Sequence, residues 1–418
     1  MVDRLSTAGT GPVPSVDPRP AGGAPRLVVD AWRSAPWWLR VLVLFALSRV
    51  VSTVVLLRFA DRQPANAWTL AQPGYVSFAT LWDSRWYQVI AYGGYPSTLP
   101  TDAAGHVAEN AWAFLPGYPL VVRALMELTG AGFPVLSVVV SVVASAATCL
   151  VLHRLLRSFL PDGSADVGVL LFCVSPTAPL LQLGYAEPLF LFFLAAALLL
   201  FVRRRWWAML PVVVALSFTR PGALPLALAL GVHALLRLRR SERAGFPVRE
   251  RVAVAVVTVV TGVLGLAWPV VAAVVTGVPG AYEETELSWR SAYIGRQPLV
   301  PFTPWFQGAD WWLPGGLGAV LVVLLVVAVV VAAATPWVRR LPLELRLWCG
   351  AYLLYLFAVW FPQSSTFRIL MPLFPLVGAL AVPRSRTFRA GLVVVGVVLQ
   401  WVWVDWCWWI DGADWTPP

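Results

Sequence analysis

Gly132–Leu152 reads GFPVLSVVVSVVASAATCLVL, a run without a single charged side chain. A helix of about 20 apolar residues covers the hydrocarbon core of a bilayer, so this run is long enough to cross. Val41–Leu57, Glu187–Val202, Val252–Thr276, Gly316–Ala334 and Gly391–Val404 are similar. None has an acidic residue in its interior, and only Arg49 places a basic one there. The composition agrees. Of 418 residues, 59% are hydrophobic and 12% charged, roughly half the ~25% charged residues of a soluble domain. The sequence therefore predicts an all-α polytopic membrane protein with about eleven spans. They fall at 38–58, 132–153, 166–182, 186–202, 206–219, 221–238, 251–275, 315–336, 345–361, 368–383 and 388–409.

Arginine sets the expected orientation. The basic residues are all Arg and cluster at Arg203–Arg205, Arg237 to Arg251, Arg339-Arg340 and Arg384 to Arg389, in segments that share one side if the spans alternate. The positive-inside rule makes that side, and the N-terminus, cytoplasmic. The net charge of +10 is then a signal of topology, not of nucleic-acid binding. Asp83, Glu187, Arg220, Glu283–Glu286 and Arg368 fall on or near the outer face.

Residues 1–35, rich in Pro, Gly, Ala and Ser, read as a disordered cytoplasmic tail. The first apolar run starts too late and runs too long for a signal peptide, so it is expected to stay as an anchor. A membrane domain follows over 36–410, with long outer loops at 59–131 and 276–314, and then an outer tail at 411–418. Six tryptophans at or near the C-terminal end (Trp401, Trp403, Trp406, Trp408, Trp409 and Trp415) read as an interfacial aromatic belt. Cys149, Cys173, Cys349 and Cys407 form no ligand pattern and read as buried free thiols. The three histidines are too scattered for a metal cluster, and no metal or other cofactor is expected.

The chemistry is expected in the first loop. Trp82-Asp83-Ser84-Arg85-Trp86-Tyr87 sets one acid among aromatics between two spans. Asp83 suits either an N-cap for a helix starting at Ser84 or a general base. A short amphipathic stretch to Pro96 and a second, Val121–Leu128, suit helices lying at the interface and roofing a lipid-facing cleft. The 276–314 loop, with Glu283, Glu284, Glu286, Trp289 and Arg290, reads as a solvated, variable loop, with acceptor binding or closure over the site as the alternative.

The W-D-x-x-W-Y-x-x-I-A-x-x-G-Y-P pattern starting at Trp82, the N-x-x-A-F-L-P-x-Y-P pattern starting at Asn110, and Ser175-Pro176 followed by Gly184-Tyr185-Ala186-Glu187-Pro188-Leu189-Phe190 carry a resemblance. Together with Thr219-Arg220-Pro221 and Phe367-Arg368 through Pro375, they resemble the GPI mannosyltransferase II (PIG-V-like) family. More specifically, the likeness is to the bacterial branch of these polytopic GT-C glycosyltransferases. The resemblance runs in order from about residue 40 to 385. It implies a GT-C bundle in a bacterial plasma membrane. The implied reaction is transfer of mannose from polyprenyl-phosphate-mannose to a lipid or glycan hydroxyl on the outer side, with inversion. The family's first-loop aspartate maps onto Asp83. The chain departs from the family at Ala186 and Pro188, where Ser or Thr is usual, which leaves the role of Glu187 open.

In that reading Asp83 is the base, and Arg220, Arg368 and Arg85 meet the donor phosphate. Trp82, Trp86, Tyr87, Glu187 and Gln363 contact substrate. Each has a plainer account: a helix-dipole acid for Glu187, interfacial snorkels for Arg220 and Arg368, and lipid headgroup contact for Arg85. Arg49 is either functional or a packing element. A transporter or flippase of a lipid-linked sugar, or a GT-C enzyme for another polyprenyl-linked sugar, remains the alternative. A transporter would usually show inverted repeats, and the sequence has none.

Overall fold

The computed structural model describes residues 30–239, 245–410 and 417–418. Contacts divide the chain at Arg40/Val41, and the second unit contains the whole of the site discussed below. Residues 30–34 are helical, so the expected disordered tail does not extend to residue 35; residues 1–29 lie outside the described part.

The described elements are helical apart from one isolated bridge, Thr101–Val107. In chain order they include α1 (Trp37–Ala60), α2 (Asp83–Gly93), α3 (Gly117–Thr129), α4 (Phe133–Leu156), α5 (Asp162–Cys173), α6 (Glu187–Val202) and α7 (Trp206–Ser217). After them come α8 (Ala223–Arg239), α9 (Val248–Thr276), α10 (Ala281–Ile294), α11 (Pro304–Trp312), α12 (Leu317–Ala334), α13 (Leu343–Val359) and α14 (Arg386–Trp403). Five helices are long and apolar enough to cross a membrane among the described residues: α1, α4, α9, α12 and Arg386–Trp408. The packing core joins α4 to α6, and α8 to both α9 and α13. α4 shows why these runs fold as they do. Pro134 sits in its first turn, where a missing N–H costs nothing, and His153 and Arg154 sit in its last turn, against the negative end of the dipole.

Two expected spans are broken. The 166–182 span stops at Cys173 and resumes as a 3-10 turn, Ala178–Gln182. The 368–383 span becomes Thr366–Ile369, a 3-10 stretch Met371–Leu376, and Val377–Leu380. Pro176 and Pro179 in one, and Pro372 and Pro375 in the other, lack the N–H a continuous helix needs. The first break explains Arg49. Its guanidinium donates to Cys173 O at 2.8 Å, Ala178 O at 2.6 Å and Gln182 Oε1 at 3.3 Å. It thus satisfies carbonyls freed where the helix is interrupted, which apolar surroundings demand. Arg49 is a packing element.

The C-terminal tryptophans also differ from expectation. Trp403 and Trp408 are buried, and Trp408 donates to Phe78 O at 3.0 Å while its own carbonyl accepts from Trp82 Nε1 at 2.9 Å. Trp408 ties the last helix to the first long loop and Trp403 packs beside it at 6.1 Å, so these two are not in a belt, whereas Trp401 and Trp406 are exposed as a belt requires. Trp415 lies outside the described residues. All four cysteines are buried and free, with Cys149 and Cys173 sulfurs 3.4 Å apart.

Candidate active site

The first long loop, 59–131, is built from short helices, and α2 is the one that presents Asp83. Trp82 precedes it with a φ of 56°, in the region that disfavours side chains. Holding a tryptophan there costs roughly 1–3 kcal/mol unless its surroundings fix it. They do: its indole donates to Trp408 O and its ring stands edge-on to Trp68 at 5.0 Å. Asp83 is then the first helical residue, not the cap, so the capping account of Asp83 does not hold. Its backbone N–H donates to Tyr185 Oη at 3.1 Å.

The Gly184-Tyr185-Ala186-Glu187 segment approaches from the other side. Gly184 N–H donates to Ala79 O at 2.9 Å, and a Cβ on Gly184 would lie 2.8 Å from Ser84 Oγ and 2.7 Å from Ser137 Oγ. No larger residue fits between the start of α2 and α4. Glu187, in the first turn of α6, comes to lie beside Asp83 for that reason.

Four charged groups from four parts of the chain meet here. Asp83 Oδ2 lies 2.6 Å from Arg368 Nη2, and Arg368 Nη1 lies 2.8 Å from Glu187 Oε1. The same Glu187 oxygen lies 2.8 Å from Arg220 Nη1, which also donates to Tyr87 Oη at 3.4 Å. Arg368 Nε donates to Pro418 O at 2.6 Å and its guanidinium stands over the Tyr185 ring at 5.4 Å. Two carboxylates against two guanidiniums leave this chain of pairs close to neutral. Burial pushes the Asp83 carboxyl above the usual carboxylate range, with Arg368 opposing and Glu187 adding to the rise. Burial raises the Tyr87 phenol, so it stays protonated.

The pairs form one wall of a cavity of about 570 Å³. Asp83, Tyr87, Glu187, Arg220, Gln363 and Arg368 all line it. Three other residues expected at the substrate do not. Arg85 turns away and donates to Trp68 O at 2.7 Å, so it is not placed to meet a donor phosphate in the cavity. Trp82 is consumed by its contacts with Trp408 and Trp68. Trp86 stacks on Phe114 (5.8 Å, 15° between planes) and meets Trp289 edge-on at 5.9 Å, supporting two rings that do line the cavity.

A second part of the lining comes from the 276–314 loop, for which closure over the site was only the alternative reading. The 276–314 loop folds as α10 and α11, and α10 puts Tyr282, Glu283, Glu286, Leu287, Trp289 and Arg290 on the cavity. A purely solvated loop is therefore incorrect. The signal was present: Tyr282, Glu286 and Trp289 recur at i, i+4 and i+7, one face of a helix. Tyr355 of α13 completes this side. The walls push the Glu286 carboxyl up to about 7. Burial is the main cause, Asp83 adds to it, and a hydrogen bond with Tyr282 and the charge of Arg220 oppose it.

No family model matches the chain, and no curated protein matches it by sequence. Among solved structures it is similar to ArnT from Cupriavidus metallidurans bound to undecaprenyl phosphate, with a TM-score of 0.50 and 15% identity over 85% of this chain and 62% of that one. Apo ArnT from the same organism gives 0.47 and 15% over 88% and 63%. The oligosaccharyltransferase AglB from Archaeoglobus fulgidus, in complex with an inhibitory peptide and a dolichol-phosphate, gives 0.42 and 13% over 87% and 55%. The chain thus spans less than two thirds of the length of these proteins. The likeness to ArnT is one of fold, an all-α architecture in which five helices of this chain are long and apolar enough to cross a membrane.

Proposed function

We propose that this chain is an inverting membrane glycosyltransferase that moves a sugar from a polyprenyl-phosphate carrier to an acceptor hydroxyl, with Asp83 as general base. The observation that carries this reading is the Asp83–Arg368–Glu187–Arg220 chain on the wall of a cavity large enough for a sugar and a phosphate. A fold shared with a protein bound to undecaprenyl phosphate supports a lipid-linked donor.

The acceptor oxygen attacks the anomeric carbon, and the bond from that carbon to the phosphate oxygen breaks. The electron pair of that bond leaves with the lipid phosphate. The proton of the acceptor hydroxyl passes to the Asp83 carboxylate. Phosphate departs as a stable anion, so no general acid is required, unlike the paired carboxylates of a glycosidase. Arg368 fixes the orientation of Asp83 and, with Arg220, places N–H donors at the reacting centre. Glu187 holds both guanidiniums in place. Tyr87 and Gln363 offer further hydrogen bonds to sugar hydroxyls.

The donor sugar is mannose and the family GPI mannosyltransferase II-like on the strength of the sequence motifs beginning at Trp82 and Asn110. The arginine distribution places the site on the extracytoplasmic face of a bacterial plasma membrane. Guanidinium charge at the phosphate makes a divalent metal dispensable. The test is transfer from polyprenyl-phosphate-mannose to endogenous acceptors in membranes from a deletion strain carrying the wild-type chain or Asp83→Asn. Loss of transfer with normal protein level supports the reading; full transfer by the variant removes Asp83 as base.

A further inference from the structure

The chain of ion pairs leaves a charge unmet. A donor phosphodiester carries about one negative charge, and the departing lipid phosphate gains more, its second ionisation lying near pH ~6. Arg220 and Arg368 are both already engaged: Glu187 holds each of them within 2.8 Å, and Asp83 holds Arg368 as well. Their charge is largely spent on the protein's own carboxylates, and each is held in one geometry. A third cation facing the same cavity is needed to balance the phosphate.

Arg290 is that cation. It sits near the C-terminal end of α10, is 6% exposed and lines the cavity. Its guanidinium makes one hydrogen bond among the described residues, Nη2 to Gln297 O at 2.7 Å. Its Nε is buried with no partner. Among the described residues no carboxylate lies within ion-pair distance; Glu283, two turns earlier on α10, lines the same cavity but forms no ion pair with it. A guanidinium has five N–H donors in a planar fork. Four of them are unspent here. A buried cation with open donors costs stability unless an anion joins it.

We propose that Arg290 is the phosphate-binding residue of the carrier lipid, gripping a phosphate oxygen from the α10 side while the Asp83 wall faces the sugar and acceptor. This rests on the reading of the cavity as a site for a polyprenyl-phosphate donor. It also assigns α10 a role in holding the carrier after the sugar has left, because the product phosphate carries the greater charge.

The test is binding of undecaprenyl phosphate to the purified full chain in nanodiscs of neutral lipid, read by native mass spectrometry. Wild type, Arg290→Ala, Arg290→Gln and Arg290→Lys are compared at matched thermal stability. Loss of a charge-assisted fork should weaken binding on the order of ten-fold or more in the Ala and Gln variants, with partial recovery in Lys. Binding within two-fold of wild type in either neutral variant that folds would overturn the assignment. Inorganic phosphate in excess should not displace the lipid; displacement would make this a site for free phosphate and overturn it too. A wild-type chain that binds no undecaprenyl phosphate would remove the donor reading and this inference together, which separates that failure from a failure of Arg290 alone.

Discussion

Two parts of one cavity lining, the cluster around Asp83 on α2 and the residues of α10, are built in opposite ways. The α2 wall spends its charges internally: Asp83, Arg368, Glu187 and Arg220 form an unbroken series of contacts between 2.6 and 2.8 Å. On α10, Glu286 and Arg290 form no ion pair among the described residues, although both line the same cavity. A pre-paired wall holds its groups rigidly and gains little from a ligand; an unpaired wall waits for one. The comparison assigns chemistry to the first and substrate charge to the second.

The largest expected effect breaks the first wall at its reacting group. Asp83→Asn should cut transfer by roughly 10²–10⁴-fold, the usual worth of a positioned base, with unchanged abundance in the membrane. Radiolabelled mannose transfer checks it. Removing the hub of the wall should instead damage the fold. Glu187→Ala leaves Arg220 without its ion-pair partner and Arg368 with Asp83 alone, and breaking such a buried network costs about 3–5 kcal/mol. The melting temperature in detergent should fall sharply, whereas Asp83→Asn should shift it less because Arg368 keeps Glu187.

The second wall should respond to pH. With its carboxyl near 7, Glu286 is neutral below that value and ionised above it. Ionisation adds negative charge beside Asp83 and Glu283 in a cavity that receives a phosphate, against the counter-charges of Arg220 and Arg290. Carrier affinity should therefore drop as pH rises from about 6 to 8. Glu286→Gln should flatten that part of the profile, leaving only the titration of the lipid phosphate itself. An identical slope in both proteins would show that Glu286 does not sense the ligand. The smallest effect is expected outside both walls. Arg85→Ala should leave donor dependence within about two-fold of wild type, as its guanidinium serves only Trp68 O in the described structure. Washing with EDTA should likewise leave transfer unchanged; a metal requirement would show that arginine charge is insufficient.

The apolar spans were legible because hydrophobic length is a one-dimensional property. The two broken ones were not: Pro176, Pro179, Pro372 and Pro375 stand inside runs whose average hydropathy hides them. Asp83 was legible as an isolated acid among aromatics, but its neighbours were harder to place. On α2, Asp83 and Tyr87 are four residues apart and share the cavity face, while Arg85, two residues on, points elsewhere. An expectation that Trp82, Arg85 and Trp86 join Asp83 and Tyr87 at the substrate does not fit that periodicity. Glu286 and Arg290 stood only as the alternative to a solvated loop, because a polar loop reads as solvated until the helical spacing of its aromatics is counted. Arg220, Arg368 and Glu187 lie far apart in sequence, and only the closure of α6 against the broken segment at 366–376 brings them together.

The most direct measurement is a cryo-electron microscopy structure of the full chain in nanodiscs with undecaprenyl phosphate. The account predicts phosphate density inside the cavity, within hydrogen-bond distance of Arg290, with Asp83 still paired to Arg368. Density at any other place, such as the Arg237–Arg251 cluster at the far ends of α8 and α9, with an empty cavity between α2 and α10, would contradict it.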